Sequence, residues 1–212
     1  PTSAALRSAI SVLTSLGAVE RPEPGRGAPE ANTAGERLSA LGHHLALLPV
    51  DVRLGKLMLL GALLGCGDAA LALAAALSVR SPFVAPFGMR ASADESKANW
   101  AVGGSDHIAV LRAFSAWEGM PRERERREFC QEHFLSYRAL ESIAEVKREL
   151  TEQLWEAGFV KRGSGGAANA KASDVELLKA ILVGAMWPKV VKIEVPPPSG
   201  KGRGKGGGGK GG

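Results

Sequence analysis

The sequence predicts a mainly α-helical protein, and two charge-free apolar segments are the strongest evidence for it. The segments Leu57–Gly67 and Ala69–Val79 each have 11 residues, are rich in Leu and Ala, and flank the single charged residue Asp68. Leu and Ala favour helix, and Gly65–Gly67 supplies a turn, so the stretch predicts an antiparallel helical hairpin. A helix that is apolar on every side must be covered on every side. We therefore expect the hairpin at the centre of a helical bundle.

The length of these segments decides between a protein core and a membrane. A membrane-spanning helix needs about 20 consecutive apolar residues, and each segment stops at 11. The hairpin is therefore predicted to fill the core of a protein that has no membrane partner. Asp51 and Asp68 are the expected N-caps of its two helices, and Leu57 and Leu77 are expected in the middle of the core.

The residues before the hairpin predict a small unit of mixed structure. Apolar residues recur at helical spacing between residues 2 and 16, and Gly17 follows as the terminating residue. Residues 18–20 predict a short strand, and residues 21–37, rich in Pro and Gly, predict a loop or wing. A second helix follows, with Ser39 as its N-cap, and Pro49 stops it. Helix, strand, wing and helix together describe a winged-helix-like unit.

Four further helices are predicted after the hairpin. Ser105 or Asp106 caps a helix whose apolar residues fall within one arc, which should pack on the hairpin. The alternating charges of residues 122–128 predict a solvated, salt-bridged helix face rather than a basic patch. Ser136 caps the longest helix, and the capping box Ser173–Glu176 begins the last one.

The excess positive charge lies in the C-terminal tail rather than in the body. The formal net charge is +5; residues 1–188 carry 21 basic and 21 acidic side chains, whereas residues 189–212 carry six and one. The neutral body gives no electrostatic reason to predict nucleic-acid binding. The Gly-rich tail, residues 196–212, is predicted to be disordered, and its cations are candidate phosphate contacts: Lys201, Arg203, Lys205 and Lys210.

The motifs of a nucleotide-hydrolysing enzyme are absent from the sequence. Gly55–Leu57 and Gly200–Gly202 contain Gly-Lys but lack the hydroxyl that would hold magnesium. Cys66 and Cys130 match no disulfide framework and no metal spacing, which is typical of a reducing intracellular compartment. Ser105–His107 contains the residue types of a hydrolase triad, but neighbours in sequence cannot form the relay geometry. We expect no catalytic residue, no metal site and no cofactor in this chain.

Several stretches together resemble the helicase-associated region of DEAH/RHA-type RNA helicases. They are LSALGHHLALLPVDVRLGKLMLLGALLGCGDAALALAAALSVRSPF, ADESKANWAVGGSDHIAVLRAFSAW, FCQEHFLSYRALESIAEVKREL and LLKAILVGAMWPKV. They follow the family's order. The resemblance implies a winged helix at residues 1–50, a ratchet-like helical bundle at residues 51–187, and the start of an OB-fold at residues 188–195, before the tail.

The same resemblance implies a function. In this family the region lies downstream of RecA-like motor domains that bind ATP and magnesium, forms one wall of the RNA tunnel, and supports 3′-to-5′ unwinding. We therefore expect a non-catalytic accessory module of an intracellular helicase, cytoplasmic or nuclear. Its expected partners are single-stranded RNA, the motor domains of the same chain and an activator protein. The resemblance implies that the motor motifs lie upstream of Pro1, and since the sequence begins at Pro1 without Met, we expect a fragment of a longer protein.

The resemblance also selects residues. Lys97, Ser105, Asp106, His107 and Arg148 match the positions expected to face RNA. For the residues from Ser105 to His107, capping of the helix is the alternative.

The aromatic residue selected for base stacking is Trp100, which follows the polar segment of residues 90–99. Two other functions stay open at this point. One is a helical scaffold that docks an activator or a ribonucleoprotein partner. The other is a winged helix that reads duplex DNA, although the helix after Ser39 has no Lys or Arg for that task.

Overall fold

The computed structural model describes residues 1–20, 35–160 and 169–191, and it confirms the mainly α-helical fold. Two short strands, β1 (Val19–Glu20) and β2 (Arg37–Leu38), pair antiparallel. The helices of the described residues are α1 (Ser3–Ser15), α2 (Ala40–Leu45), α3 (Val52–Leu64), α4 (Gly67–Ser78), α5 (Arg90–Trp100), α6 (Asp106–Glu118), α7 (Glu123–Glu132), α8 (Tyr137–Glu156) and α9 (Val175–Met186).

The N-terminal unit consists of α1, the β1–β2 sheet and α2. Gly17 follows α1 with a φ of 75°, a left-handed conformation that suits glycine. Ser39 caps α2 as expected: its Oγ accepts a hydrogen bond from the Gly42 amide at 3.0 Å and donates one to the Gly17 carbonyl at 2.6 Å. The helix ends earlier than predicted, at Leu45. Residues 21–34, most of the predicted wing, lie outside the described residues, so the winged helix stays a prediction.

The predicted hairpin forms the centre of the molecule. Asp51 caps α3 by accepting hydrogen bonds from two amides of the first turn, and Gly65 ends α3 in the left-handed conformation with a φ of 79°. Helix α4 packs against α6 and α8, and α3 packs against α9. Every residue of α4 from Ala69 to Ala75 is buried, as is Leu57 in α3. This enclosure explains why the sequence of the hairpin needs no polar face.

The two helices of the hairpin approach closely at Gly61. A Cβ atom at this position would overlap the Cβ of Ala70 on α4. The absence of a side chain at Gly61 therefore allows the small residues of α4 to pack directly on α3.

Two expectations for this half of the chain are wrong. Asp68 is not an N-cap: Cys66 occupies that position, and Asp68 lies in the first turn of α4. Leu77 is 37% exposed, because α4 emerges from the covering helices near its C-terminal end. Residues 90–100, for which the sequence indicated only a polar segment, form helix α5. Only Ala93 of α5 is buried, so the sequence has no apolar periodicity to reveal it.

A buried lysine connects three helices of the bundle. Lys147 Nζ on α8 lies 2.9 Å from Asp68 Oδ1 on α4 and 2.8 Å from Glu118 Oε2 on α6. It also lies 5.5 Å from the centre of the Phe114 ring. Burial opposes the charge, but the hydrogen bonds that Lys147 donates to Glu118 and Asp68, together with the negative charges of these carboxylates, outweigh burial and raise the pKa of Lys147 above its ordinary value.

The chain that enters α9 is attached to the turn of the hairpin. The Lys171 amide donates to the Gly65 carbonyl at 2.8 Å, and the Asp68 amide donates to Asn169 Oδ1 at 2.6 Å. The N-cap of α9 is Asp174, one residue after the start of the predicted capping box.

The described chain continues past α9 to residue 191 without forming a strand there. The rest of the predicted OB-fold strand, residues 192–195, lies outside the described residues.

Candidate nucleic-acid interface

Lys97 is held at the junction of α5 and α6. Its Nζ lies 2.9 Å from Oδ2 of Asp106, the first residue of α6, and 5.7 Å from the centre of the Phe83 ring. The side chain of Lys97 is 34% exposed and that of Asp106 is 70% exposed. The ion pair therefore fixes α5 against the start of α6 while both groups stay accessible to a ligand.

Ser105 is the N-cap of α6. Its Oγ accepts a hydrogen bond from the Ile108 amide at 3.4 Å. Gly103 and Gly104, immediately before it, have φ values of 59° and 71°, so the chain turns sharply into the helix. Asp106 follows in the first turn, where a negative charge is favoured by the helix dipole. Capping is thus the structural role of Ser105, while its contact with RNA stays a prediction.

His107 shares an open cleft with Lys97 and Asp106. The cleft has a volume of about 340 Å³, and it lies between α5, α6 and the C-terminal part of α4. The structure therefore brings together three of the residues selected from the sequence. The remaining lining residues are Leu73, Ala76, Leu77, Val79, Ser81 and Val110. The exposure of Leu77, unexpected from the sequence, follows from its position in this cleft.

Trp100 packs among other aromatic side chains. Its ring makes edge contacts with Phe129 and His133, with centroid distances of 5.7 Å and 5.2 Å. The Trp100 carbonyl accepts a hydrogen bond from Arg112 at 3.0 Å. The ring is half-buried, which is a poorer starting point for base stacking than an open face, and its contact with RNA stays a prediction.

Arg148 and the tail cations are not part of this cleft. Arg148 lies on the exposed side of α8, whereas the cleft is lined by α4, α5, α6 and the loop that follows α4. The tail residues lie outside the described part of the chain: Lys201, Arg203, Lys205 and Lys210. Their contacts with RNA stay predictions.

Lys179 on α9 is a nearby cation that the sequence did not reveal. Any side chain at Gly103 would collide with its ammonium group, so Lys179 lies directly against the turn that leads into α6. Its Nζ also pairs with Glu176 at 2.9 Å. Because 76 positions separate Lys179 from Gly103, only the fold reveals that they are neighbours.

The arginine-rich helix α7 does not add a basic surface, as predicted. Arg124 Nε lies 2.7 Å from Glu128 Oε1, and Arg127 Nη2 lies 2.6 Å from Glu123 Oε1. In each pair the arginine and the glutamate lie one helical turn apart, so their charges neutralise each other on an exposed face of α7. The cleft beside α6 is therefore the better candidate for an anionic ligand.

No group of three or more His, Cys, Asp or Glu side chains in the described ranges could hold a metal ion. Cys66 and Cys130 are both buried free thiols, and burial raises the pKa of Cys130 to about 11. Among the described helices, none has the length and apolar character needed to cross a membrane.

Comparison with known protein families finds a match in the central part of the chain. Residues 51–138 match the helicase associated domain (HA2), ratchet-like. This range begins with the N-cap of α3 and includes the hairpin, the cleft and the start of α8.

Curated relatives extend the similarity beyond this range. DHX57 of Mus musculus is 40% identical over 187 residues, covering 78% of this chain and 14% of the relative. The ATP-dependent RNA helicase dhx29 of Xenopus laevis is 37% identical over 197 residues, covering 89% of this chain and 14% of the relative. The ATP-dependent DNA/RNA helicase DHX36 of Rattus norvegicus is 39% identical over 165 residues, covering 76% of this chain and 16% of the relative. The chain thus spans about one seventh of the length of these relatives.

Proposed function

Because this chain belongs to the helicase-associated regions of DEAH/RHA-type RNA helicases, we propose that it is the accessory module of an ATP-dependent RNA helicase and forms part of the RNA tunnel. In this proposal it holds single-stranded RNA during 3′-to-5′ unwinding. RecA-like motor domains, which bind ATP and magnesium, perform the chemistry. The parent protein acts inside the cell, and an activator protein is a further proposed partner.

In this proposal the chain consists of the four parts that the resemblance implies. Residues 1–50 form a winged helix, residues 51–187 form the ratchet-like bundle, residues 188–195 begin an OB-fold, and residues 196–212 form a basic tail. Contacts of α3 with α9 and of α4 with α8 support a bundle that extends beyond the matched range of 51–138.

The observation that carries the proposal is the cleft containing Lys97, Asp106 and His107. Lys97 supplies an ammonium group for a phosphate, and the positive end of the α6 dipole adds to the local attraction for anions. Asp106 is largely exposed and has acceptor sites beyond the one occupied by Lys97. A ribose 2′-hydroxyl is a donor that such a carboxylate can bind, which would favour RNA over DNA.

The test is a filter-binding titration of the full chain with single-stranded RNA over a series of salt concentrations. Replacing Lys97 and His107 together by Ala should weaken binding and lower the log-log salt slope by about 0.7 for each phosphate that is no longer neutralised. Arg124→Ala is the matched control, because Arg124 is an exposed cation paired within α7. If the double variant binds like this control, the cleft does not contact RNA and the scaffold alternative is favoured.

The basic tail must be measured separately from the cleft. Deleting residues 196–212 removes Lys201, Arg203, Lys205 and Lys210, which together can account for a salt slope of up to about 3. We expect the tail to supply most of the affinity of the isolated chain and the cleft to supply its preference for RNA. Asp106→Ala should therefore reduce the RNA-to-DNA affinity ratio while the tail deletion leaves that ratio unchanged. An unchanged ratio in Asp106→Ala would contradict the role of the carboxylate.

A further inference from the structure

The loop that connects α4 and α5, residues 79–89, has a firmly anchored first half. The Ser136 amide donates to the Pro82 carbonyl at 2.7 Å, and the Val84 amide donates to the Phe134 carbonyl at 2.9 Å. Pro82 is fully buried. These hydrogen bonds attach the loop to the connection between α7 and α8.

The second half of the same loop presents an aromatic ring to solvent. The Met89 amide donates to the Pro86 carbonyl at 3.0 Å, which closes a turn containing Phe87 and Gly88. Gly88 has a φ of 78°. Phe87 is fully exposed, at 106% of the reference area. Because Pro86 restricts the backbone of this turn, ordering the turn costs less entropy than ordering an unrestricted loop.

The loop is continuous with the candidate RNA cleft. Ser81 lines the cleft, and Lys97 lies between the Phe83 ring and Asp106. Phe87 is four residues after Phe83, so the extended chain limits the distance between their Cα atoms to about 14 Å. A strand of RNA in the cleft can therefore reach the turn within a few nucleotides.

The surroundings of Phe87 suit a nucleobase better than a protein surface. Arg80 and Arg90, at the two ends of the loop, are exposed, and Arg90 lies 3.8 Å from Asp94, one helical turn further along α5. A protein interface needs a buried apolar centre and on the order of 800 Å² from each partner. A single base needs one aromatic face, with cations nearby for its phosphates. The loop offers the second arrangement.

We infer that Phe87 is a stacking platform for a base of single-stranded RNA that occupies the cleft of Lys97, Asp106 and His107. This inference rests on the proposed function and adds a contact that neither the matched family model nor the sequence pattern assigned. The contact is sequence-tolerant, because every base has a face that can stack on a phenyl ring.

The test uses the full chain and a single-stranded RNA that carries a fluorescent purine analogue, whose emission is quenched by stacking. Phe87→Ala should lose the quenching and weaken binding by about 5- to 100-fold. Phe87→Trp should restore both, since it keeps an aromatic face. Met89→Ala is the matched control, because Met89 is an exposed apolar residue of the same loop. The salt slope should be unchanged in Phe87→Ala, because a neutral ring releases no counterions.

The possible outcomes separate this inference from the proposed function. If Phe87→Ala retains full affinity and quenching while the Lys97/His107 double variant loses affinity, the stacking platform is wrong and the cleft stands. If neither substitution weakens binding, both are wrong. If Phe87→Ala weakens binding by lowering the salt slope or the melting temperature, the ring acts on the fold or the charges, and the stacking platform is again wrong.

Discussion

The hairpin and the N-terminal helix show two different ways in which this chain makes a helix. Helix α4 has 12 residues, eight of them buried, whereas α1 has 13 residues and none of them is buried. The contacts of α1 with the rest concentrate at its C-terminal end, where Leu16 is 1% exposed and its carbonyl accepts a hydrogen bond from Lys56 of α3 at 2.9 Å. The hairpin therefore depends on burial, while α1 depends on local caps and on this attachment. We expect their sensitivity to substitution to differ accordingly.

The largest expected effect is a charge placed in the hairpin. Leu57→Asp buries an unpaired carboxylate at a side chain that is 0% exposed, and it should lower the free energy of unfolding by several kcal/mol, on the order of 5. Leu6→Asp, on the exposed face of α1, should change it by less than about 0.5 kcal/mol. Urea denaturation followed by circular dichroism measures both. Equal losses in the two variants would mean that α1 is as buried as the hairpin.

A second, smaller effect is expected from the lysine network that joins the hairpin to α6 and α8. Replacing Asp68 by Asn and Glu118 by Gln together removes both counter-charges of Lys147, whose side chain is 11% exposed. The free energy of unfolding should fall by about 3 kcal/mol, because a buried ammonium group is left unpaired.

Lys147→Met is the control for the network, and it also tests how the contribution of Lys147 to stability depends on pH. An apolar side chain of similar length should cost less at pH 7 than the double replacement, because the two carboxylates that it leaves without Lys147 have side chains that are 55% and 40% exposed and can be hydrated. The pKa of Lys147 is raised in the folded protein. Its contribution is therefore complete below the ordinary lysine pKa of about 10.4 and is lost as pH rises through the folded value. Unfolding curves measured in this alkaline range should decline less steeply for Lys147→Met than for the unmodified chain; parallel curves would contradict the assignment.

Two glycines in helices sharpen the comparison within the bundle. Gly61→Ala places a methyl group against Ala70 and should cost about 1–3 kcal/mol, because the two backbones must separate. At Gly184 on α9, the nearest atom to a new Cβ is Leu60 Cδ1 at 3.8 Å, an ordinary contact. Gly184→Ala should therefore stabilise the protein by up to about 1 kcal/mol through helix propensity. A higher melting temperature for Gly61→Ala would contradict the close approach at Gly61, and a lower one for Gly184→Ala would contradict the open contact at Gly184.

The smallest effect is expected in the N-terminal unit. Ser39→Ala removes the cap of α2 and the hydrogen bond to the Gly17 carbonyl, at a cost of about 1 kcal/mol. Because this unit is attached by few contacts, the loss should appear as local opening. Amide hydrogen exchange should accelerate in β1 and α2 and stay unchanged in α4. Faster exchange throughout α4 would show that the two regions unfold together.

The sequence predicted features that depend on neighbouring residues. The caps at Ser39, Ser105 and Ser136 were correct because a side-chain oxygen reaches an amide only three residues away. The prediction of a buried hairpin was correct because helices of this length with almost no polar residues must be covered on every side. The same uniform composition hides the direction of each face, which is why the exposure of Leu77 was missed.

Features that depend on distant residues were not predictable. Lys147 and Asp68 are 79 positions apart, and without the fold Asp68 resembled an N-cap. Helix α5 was missed because it has no apolar stripe of its own, and its contacts, such as that of Trp100 with Phe129 on α7, are made with residues that are distant in the sequence. For the candidate site, the sequence selected Lys97, Asp106 and His107 by resemblance. It gave no sign of the exposed ring of Phe87, which depends on the anchoring of its loop.

The attachment of residues 169–171 to the turn of the hairpin has a practical consequence for protein engineering. Asn169 and Lys171 are held by the backbone of that turn, and α8 ends independently at Glu156. The described residues on either side of residues 161–168 are therefore held by contacts within the described part of the chain. Doubling the length of such a connection costs only about 0.6 kcal/mol of closure entropy. A fluorescent reporter or an affinity tag inserted between residues 163 and 168 should leave both helices in register, giving a handle for attaching the module to a surface while the cleft beside α6 stays unmodified.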